Sequence, residues 1–104
     1  VIMSKKKLPS PVLAEVHWYD AEEEGEPGWN DYKKMKTYAK KPCPLMHSVG
    51  YVVYESDSHI ALVSTLSDDQ SICSTCEKIP RGMIVSVRYL ISNETKGEMP
   101  RITP

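Results

Sequence analysis

Arg81 and Gly82 are the residues of this chain whose types and spacing best suit contact with a ligand. They lie in residues 79–90, where a turn is followed by an alternating run that is typical of a closing β-strand. A guanidinium can pair with a phosphate or stack on a base, and a neighbouring glycine lets a ligand approach the backbone. The structural alternative is that Gly82 supplies a special backbone angle while Arg81 is merely exposed.

A lysine-rich segment gives the second candidate, because lysines neutralise phosphates and aromatic rings can stack on bases. Tyr32 and Tyr38 accompany these lysines. The alternatives are a solvated helix face, or tyrosines that serve the core or a subunit contact. The net charge of −1 provides no global basic field for a nucleic acid. The residues predicted to contact nucleic acid are Arg81, Gly82, Lys33, Lys34, Lys36 and Tyr38.

Cysteine and histidine spacing raises the question of a zinc site. Cys73 and Cys76 follow Cys43 and His47, a set that could supply three sulfurs and one nitrogen. Residues three apart on a continuous strand point to opposite faces, and no glycine beside Cys73 and Cys76 provides a bend. We expect ordinary strand cysteines, with neither a metal nor another cofactor. The odd count of three cysteines argues against a disulfide framework and favours a reducing cytoplasm.

Catalytic chemistry has little support in the sequence. The acidic residues within 20–26 could pair for acid–base or cation chemistry, but a carboxylate run in a polar loop is usually solvated. His17, His47 and His59 are scattered, and the chain has no nucleophile elbow, phosphate-binding glycine loop or HExxH helix. We expect a protein that is not an enzyme.

The length of 104 residues suits one domain with one modest core. Residues 1–10 are predicted to be a basic flexible arm, 11–91 the domain, and 92–104 a flexible tail. No apolar run approaches the roughly 18 residues that a membrane span needs. The start of the chain also lacks the apolar stretch of a signal peptide. We therefore expect a soluble, cytoplasmic protein.

Hydrophobic periodicity predicts five strands and one helix. On the first strand, apolar residues recur at every second position from Val12 to Trp18. The helix, at residues 29–40, is expected to begin at the cap Asn30 and to lie across the sheet. Gly50 is expected to bend or bulge the second strand. The strands are predicted at residues 12–19, 45–55, 60–66, 71–79 and 83–90, with a one-turn 3₁₀ connector at 80–82.

These elements predict a mainly β fold, a small half-open barrel of five strands with one short helix inserted between strands 1 and 2. A flat antiparallel sheet covered by the helix is the alternative. The core is expected to be thin, because Phe is absent and only 40% of the residues are hydrophobic. Pairing with copies of the same chain would add buried area.

Four blocks of the chain together resemble a set of small phage proteins of undefined function. The resemblance covers about residues 14–90. It implies a phage origin, from a marine or cyanobacterial virus, and therefore a location in the cytoplasm of the infected host. It implies no activity. The blocks are residues 15–21, residues 28–29, residues 48–51 and residues 79–83.

The chain also resembles the Sm-like family of five-stranded barrels, which assemble into rings and bind RNA. Ala61 stands where that family has an RNA-binding asparagine, and an alanine side chain cannot hydrogen-bond a base. An SH3-type barrel accounts for the same strands. The residues similar to the family's two motifs are Gly50, Val52 and Asp57 for the first and Arg81-Gly82 for the second.

The sequence leaves two functions open. The first is an oligomeric Sm-like module, arranged as a ring of copies, that contacts RNA or another single-stranded nucleic acid. The second is a protein-interaction or structural adaptor without nucleic-acid binding. It would hold a phage or host protein through its sheet edges and exposed aromatic side chains. We expect no membrane contact in either case.

Overall fold

The computed structural model describes residues 11–90, which form five strands, one α-helix and one 3₁₀ turn. The mainly β class is confirmed, and so is the position of the single helix between the first two strands. The predicted arm at 1–10 and tail at 92–104 lie outside the described residues. No helix within residues 11–90 is long and apolar enough to cross a bilayer. The elements are β1 (Val12–Tyr19), α1 (Tyr32–Ala39), β2 (Leu45–Glu55), β3 (His59–Val63), β4 (Cys76–Pro80), η1 (Arg81–Met83) and β5 (Ile84–Leu90).

All five strands belong to one antiparallel sheet with the order β4-β3-β2-β1-β5. No pairing joins β4 to β5 within the described part of the chain, so the sheet is not closed into the predicted barrel. It is nevertheless curled. In a flat sheet the outermost strands would lie about 19 Å apart. The three residues of η1 allow at most about 15 Å between the Cα atoms of Pro80 and Ile84.

The core lies on one face of this curled sheet. Period-two alternation on β1 turns Ala14, Val16 and Trp18 toward one face, and the first two are completely buried. The third strand differs, because every residue from Ile60 to Val63 is buried. A bulge at Val85, opposite the step from His17 to Trp18, lets Ile84 and Val87, which lie on either side of it, both pack against the core. The central cluster is Val16, Ile60, Leu62 and Ile79, with Trp18, Val52, Ile84 and Val87 packed against it.

Position 50 requires glycine because β3 approaches it closely, and not because β2 has a bulge there. It pairs directly with Ala14, and the register shift of β2 falls three residues later, at Val53. A Cβ atom on Gly50 would lie 2.7 Å from the carbonyl oxygen of Val63. The predicted bulge at Gly50 is therefore wrong, and the glycine is needed because β3 passes close to its Cα atom.

The third and fourth strands are shorter than the periodicity predicts. Beyond Val63 the ladder is replaced by side-chain bonds, since the Ser74 hydroxyl accepts from the main-chain nitrogens of Ser64 and Thr65. Only an isolated bridge between Leu66 and Cys73 remains in the predicted strand extensions. Serine hydroxyls that satisfy backbone groups compete with strand pairing, which explains the early end of both strands.

The helix is shorter than predicted and does not cover the sheet. It begins after Asp31, whose carboxylate accepts from the main-chain nitrogen of Lys34 at 3.0 Å. The predicted cap Asn30 instead exchanges hydrogen bonds with the backbone of Glu26. No residue of α1 is buried, and Trp29 is fully exposed before it. The expectation that the helix lies across the sheet is therefore wrong.

Candidate functional site

Arg81 joins the 3₁₀ connector to the turn between β2 and β3. Its main-chain nitrogen donates to the carbonyl of Ser58 at 2.9 Å, and its Nε donates to the carbonyl of Ser56 at 2.9 Å. One terminal nitrogen also pairs with the Glu55 carboxylate at 3.3 Å. Part of the guanidinium is thus committed within the chain. Its predicted contact with nucleic acid stays a prediction.

Glu55 connects this arginine to the last strand. The same carboxylate oxygen that faces Arg81 accepts a hydrogen bond of 2.8 Å from the Tyr89 hydroxyl. This hydrogen bond, together with burial, raises the pKa of Tyr89. The three side chains, named here the connector cluster, tie β2, η1 and β5 together where no strand pairing does so. These contacts stabilise the curled arrangement of the sheet.

Gly82 has no structural reason to be glycine within the described chain. Its φ is not in the left-handed region, unlike those of Gly25 and Gly28. No atom lies within 4 Å of the position that a Cβ would take. The alternative that Gly82 supplies a special backbone angle is therefore wrong. Its exposed backbone is left open beside Arg81.

The β2–β3 turn carries a polar and aromatic group that the sequence did not single out. The Ser58 hydroxyl lies 2.6 Å from Nδ1 of His59, and the Tyr54 ring lies 5.3 Å from the imidazole. A nucleophilic serine also needs a group that orients its histidine and donors for an oxyanion. No hydrogen bond to the second nitrogen of His59 occurs among residues 11–90. In the sequence, only the adjacency of Ser58 and His59 could have indicated this group.

The lysines of α1 are exposed and unpaired. Lys33, Lys34 and Lys36 have no carboxylate from residues 11–90 within 4.0 Å. Tyr32 is 73% exposed, and Nζ of Lys36 lies 6.0 Å from the centre of its ring. These side chains form the lysine surface, defined as Tyr32, Lys33, Lys34 and Lys36. No hydrogen bond, ion pair or ring contact within residues 11–90 joins it to the connector cluster.

Tyr38 does not share the exposure of the lysine surface. It is half-buried, and its hydroxyl is enclosed without a hydrogen-bond partner in the described chain. Burial raises the pKa of Tyr38, and the nearby carboxylates of Glu22 and Glu24 raise it further. These two residues of the acidic segment 20–26 therefore lie near the Tyr38 side of the helix. Tyr32, rather than the predicted Tyr38, presents its ring to solvent.

The outer face of β1 and β2 carries a stacked histidine pair. His17 and His47 lie directly opposite each other, with ring centres 3.9 Å apart and planes 8° from parallel. The Glu15 carboxylate lies 3.5 Å from Nε2 of His17 and 2.8 Å from the Arg88 guanidinium. The nearby imidazole of His17, and then the hydrogen bond from Arg88, lowers the pKa of Glu15.

The cysteines show no grouping for a metal. Cys43, Cys73 and Cys76 are all exposed and free of disulfides, and only Cys76 lies within a strand. Within residues 11–90, no three His, Cys, Asp or Glu side chains are grouped so as to hold a metal ion.

The two outermost strands present unpaired backbone. Each of β4 and β5 pairs with one neighbour only among the described residues. On β5 the side chain of Val85 is 56% exposed. An edge of this kind leaves main-chain donors and acceptors open to another strand.

No protein-family model, no curated protein and no solved structure significantly matches this chain.

Proposed function

We propose that this chain is a non-enzymatic interaction module of the Sm-like or SH3-type kind that assembles with copies of itself. The open sheet of one copy is completed by an edge strand of the next. The observation that carries this proposal is that β4 and β5 are each unpaired on one side within residues 11–90. A row of unpaired main-chain groups is a template for strand addition.

The two edges differ in how well they are protected. Natural sheets blunt exposed edges with lysine and proline. On β4, Lys78 and Pro80 supply both within five residues. On β5, seven residues include neither, and Arg88 is the only charged side chain. We therefore assign β5 as the edge that accepts a strand, with β5 of a second copy as its partner.

Contact between two copies of the same edge is isologous and closes as a dimer with two-fold symmetry. A ring of copies stays a prediction.

The thin core also supports assembly. Within residues 11–90, seven hydrophobic residues are buried, while Val12, Val49, Val53 and Val85 are each more than 40% exposed. Small domains bury a low fraction of their surface and are marginal in isolation. Burial of apolar surface contributes about 25 cal/mol per Å², so a shared interface would add stability that the single chain lacks. The origin in a phage and the binding of a phage or host protein remain predictions.

Mass in solution tests this proposal directly. We expect analytical ultracentrifugation to show a discrete oligomer of the wild-type chain. Val85→Lys, which places a charge on the β5 edge, should shift the mass to the monomer. Ile72→Lys is the matched control, because Ile72 is 72% exposed in the β3–β4 loop and lies on neither edge.

Two results would overturn the proposal. A strict monomer at every concentration would exclude self-assembly and favour an SH3-type adaptor. An oligomer that survives Val85→Lys as well as Ile72→Lys would exclude the β5 edge as the contact.

A further inference from the structure

We infer that the lysine surface of α1, together with Trp29, is a binding site for single-stranded nucleic acid. This site is separate from the sheet edges and does not depend on self-assembly. The connector cluster is not part of it. The argument rests on local charge, on exposed rings and on how the helix is supported.

The positive charge of this surface is not neutralised locally. Lys33, Lys34 and Lys36 are exposed and lack an ion-pair partner in the described part of the chain. Glu22 and Glu24 act on Tyr38, which lies beside Lys34 and on the side of the helix opposite Lys36. A phosphate backbone gains affinity from such unpaired amines through release of its counterions.

Two aromatic rings are available to unpaired bases. Trp29 is 100% exposed and Tyr32 is 73% exposed. The amine of Lys36 lies 6.0 Å from the centre of the Tyr32 ring, at the i and i+4 positions of one helix face. A base stacked on this ring would bring its phosphate within reach of Lys36. Stacking on aromatic side chains is how single strands are held without base-specific contacts.

The helical period puts every helix residue of this surface except Lys34 on one face. Successive residues are turned by about 100°, so Tyr32, Lys33 and Lys36 fall within one third of the circumference. Lys34 lies on the other side, with the half-buried residues Met35 and Tyr38. The exposed face is therefore cationic and aromatic, while the less polar face is turned toward the protein.

The helix also has little support of its own. It has eight residues, none of them buried, and isolated helices shorter than about 12 residues are marginal in water. Contact with a polyanion would supply the missing interactions. A membrane-surface helix would need a broad apolar exposed face, which this face does not provide. The combination favours a single-stranded nucleic acid over a lipid surface.

Titration of the full chain with a fluorescent oligouridine at several salt concentrations tests this inference. We expect salt-sensitive binding that is weaker for a duplex of the same length. Lys33→Gln with Lys36→Gln should reduce the slope of log affinity against log salt by about 1.4, since each phosphate contact on a single strand contributes about 0.7. Lys78→Gln, which removes an exposed lysine from β4, is the matched control and should leave both affinity and slope unchanged.

The role of the ring is tested separately. Trp29→Leu should weaken binding about tenfold at constant salt slope, because stacking is not an ionic contact. It should also abolish quenching of tryptophan fluorescence by the oligonucleotide, since Trp18, which donates to Ser48, is only partly exposed.

Four outcomes would overturn the inference. They are absence of salt-sensitive binding, equal loss from Lys78→Gln, equal affinity for the duplex, and tighter binding to phosphatidylglycerol vesicles than to the oligonucleotide.

Discussion

The Nε atom of Arg81 donates a hydrogen bond of 2.9 Å to the main-chain carbonyl of Ser56, 25 residues earlier in the chain. This bond holds the β2–β3 turn against the 3₁₀ connector. The same side chain reaches Glu55, which in turn accepts from Tyr89 on β5. An arginine that the sequence presents as a ligand contact thus has a role in fastening the open sheet.

Replacement of Arg81 by alanine should destabilise the fold by about 1–2 kcal/mol, because the partly buried carbonyl of Ser56 loses its donor. Glu55→Gln should cost less than about 1 kcal/mol, since the ion pair is more than one third exposed on both sides. Urea unfolding of both variants measures the difference. An equal cost for the two variants would show that the ion pair, and not the bond to the carbonyl, dominates.

Gly50→Ala should destabilise the fold by about 1–3 kcal/mol, because its Cβ would lie 2.7 Å from the Val63 carbonyl oxygen. Gly82→Ala serves as the control. Its Cβ would meet nothing within 4 Å, so the change in unfolding free energy should stay within about 0.5 kcal/mol. Thermal unfolding of the two alanine variants provides the comparison. Similar melting temperatures for both would contradict the close approach of β3 to Gly50.

Glu15 should contribute to the loss of stability in acid. Its pKa is lowered from the ordinary value of 4.5 by the nearby imidazole of His17 and by the hydrogen bond from Arg88. The stabilising contribution of its charged form is therefore complete above pH 4.5 and is lost as the pH falls through the lowered value. Glu15→Gln should flatten the acid limb of melting temperature against pH. Asp69 has its pKa lowered by bonds from Ser71 and Ser67 and is retained in both proteins, so the difference isolates Glu15. An unchanged acid limb would contradict the prediction.

Asp31→Ala should loosen α1 without unfolding the sheet. The carboxylate satisfies the main-chain nitrogen of Lys34, and loss of such a cap costs a helix about 1 kcal/mol. Since no residue of α1 is buried, the urea midpoint of the whole domain should hardly change. Hydrogen exchange of the α1 amides should accelerate. Asn30→Ala, which alters loop bonds to Glu26 and Gly28, is the control that should leave those amides protected.

Local pattern predicted the elements best where the pattern was unbroken. The bounds of β1 agree with the sequence because apolar alternation extends over its whole length. The bounds of β2 agree because Pro44 precedes it and the turn at 56–58 follows it. The β3–β4 hairpin was predicted less well, since the bonds from Ser64 and Thr65 to Ser74 depend on how two segments meet. The candidate lysines were also evident from the sequence. The aromatic residue predicted to accompany them was Tyr38, whereas the exposed ring is that of Tyr32. Spacing alone does not show which face of the helix packs against the rest of the chain.

The sequence by itself determined the mainly β class, the place of the single helix and the short 3₁₀ connector, because these follow from local periodicity, proline and glycine. Only the tertiary structure decided that the sheet remains open, that Gly50 faces the Val63 carbonyl and that Arg81 binds Ser56 and Glu55. Each of these relationships joins residues far apart in the chain. They depend on the curvature of the sheet, which brings distant backbone segments within a few ångströms and is not encoded in any single segment.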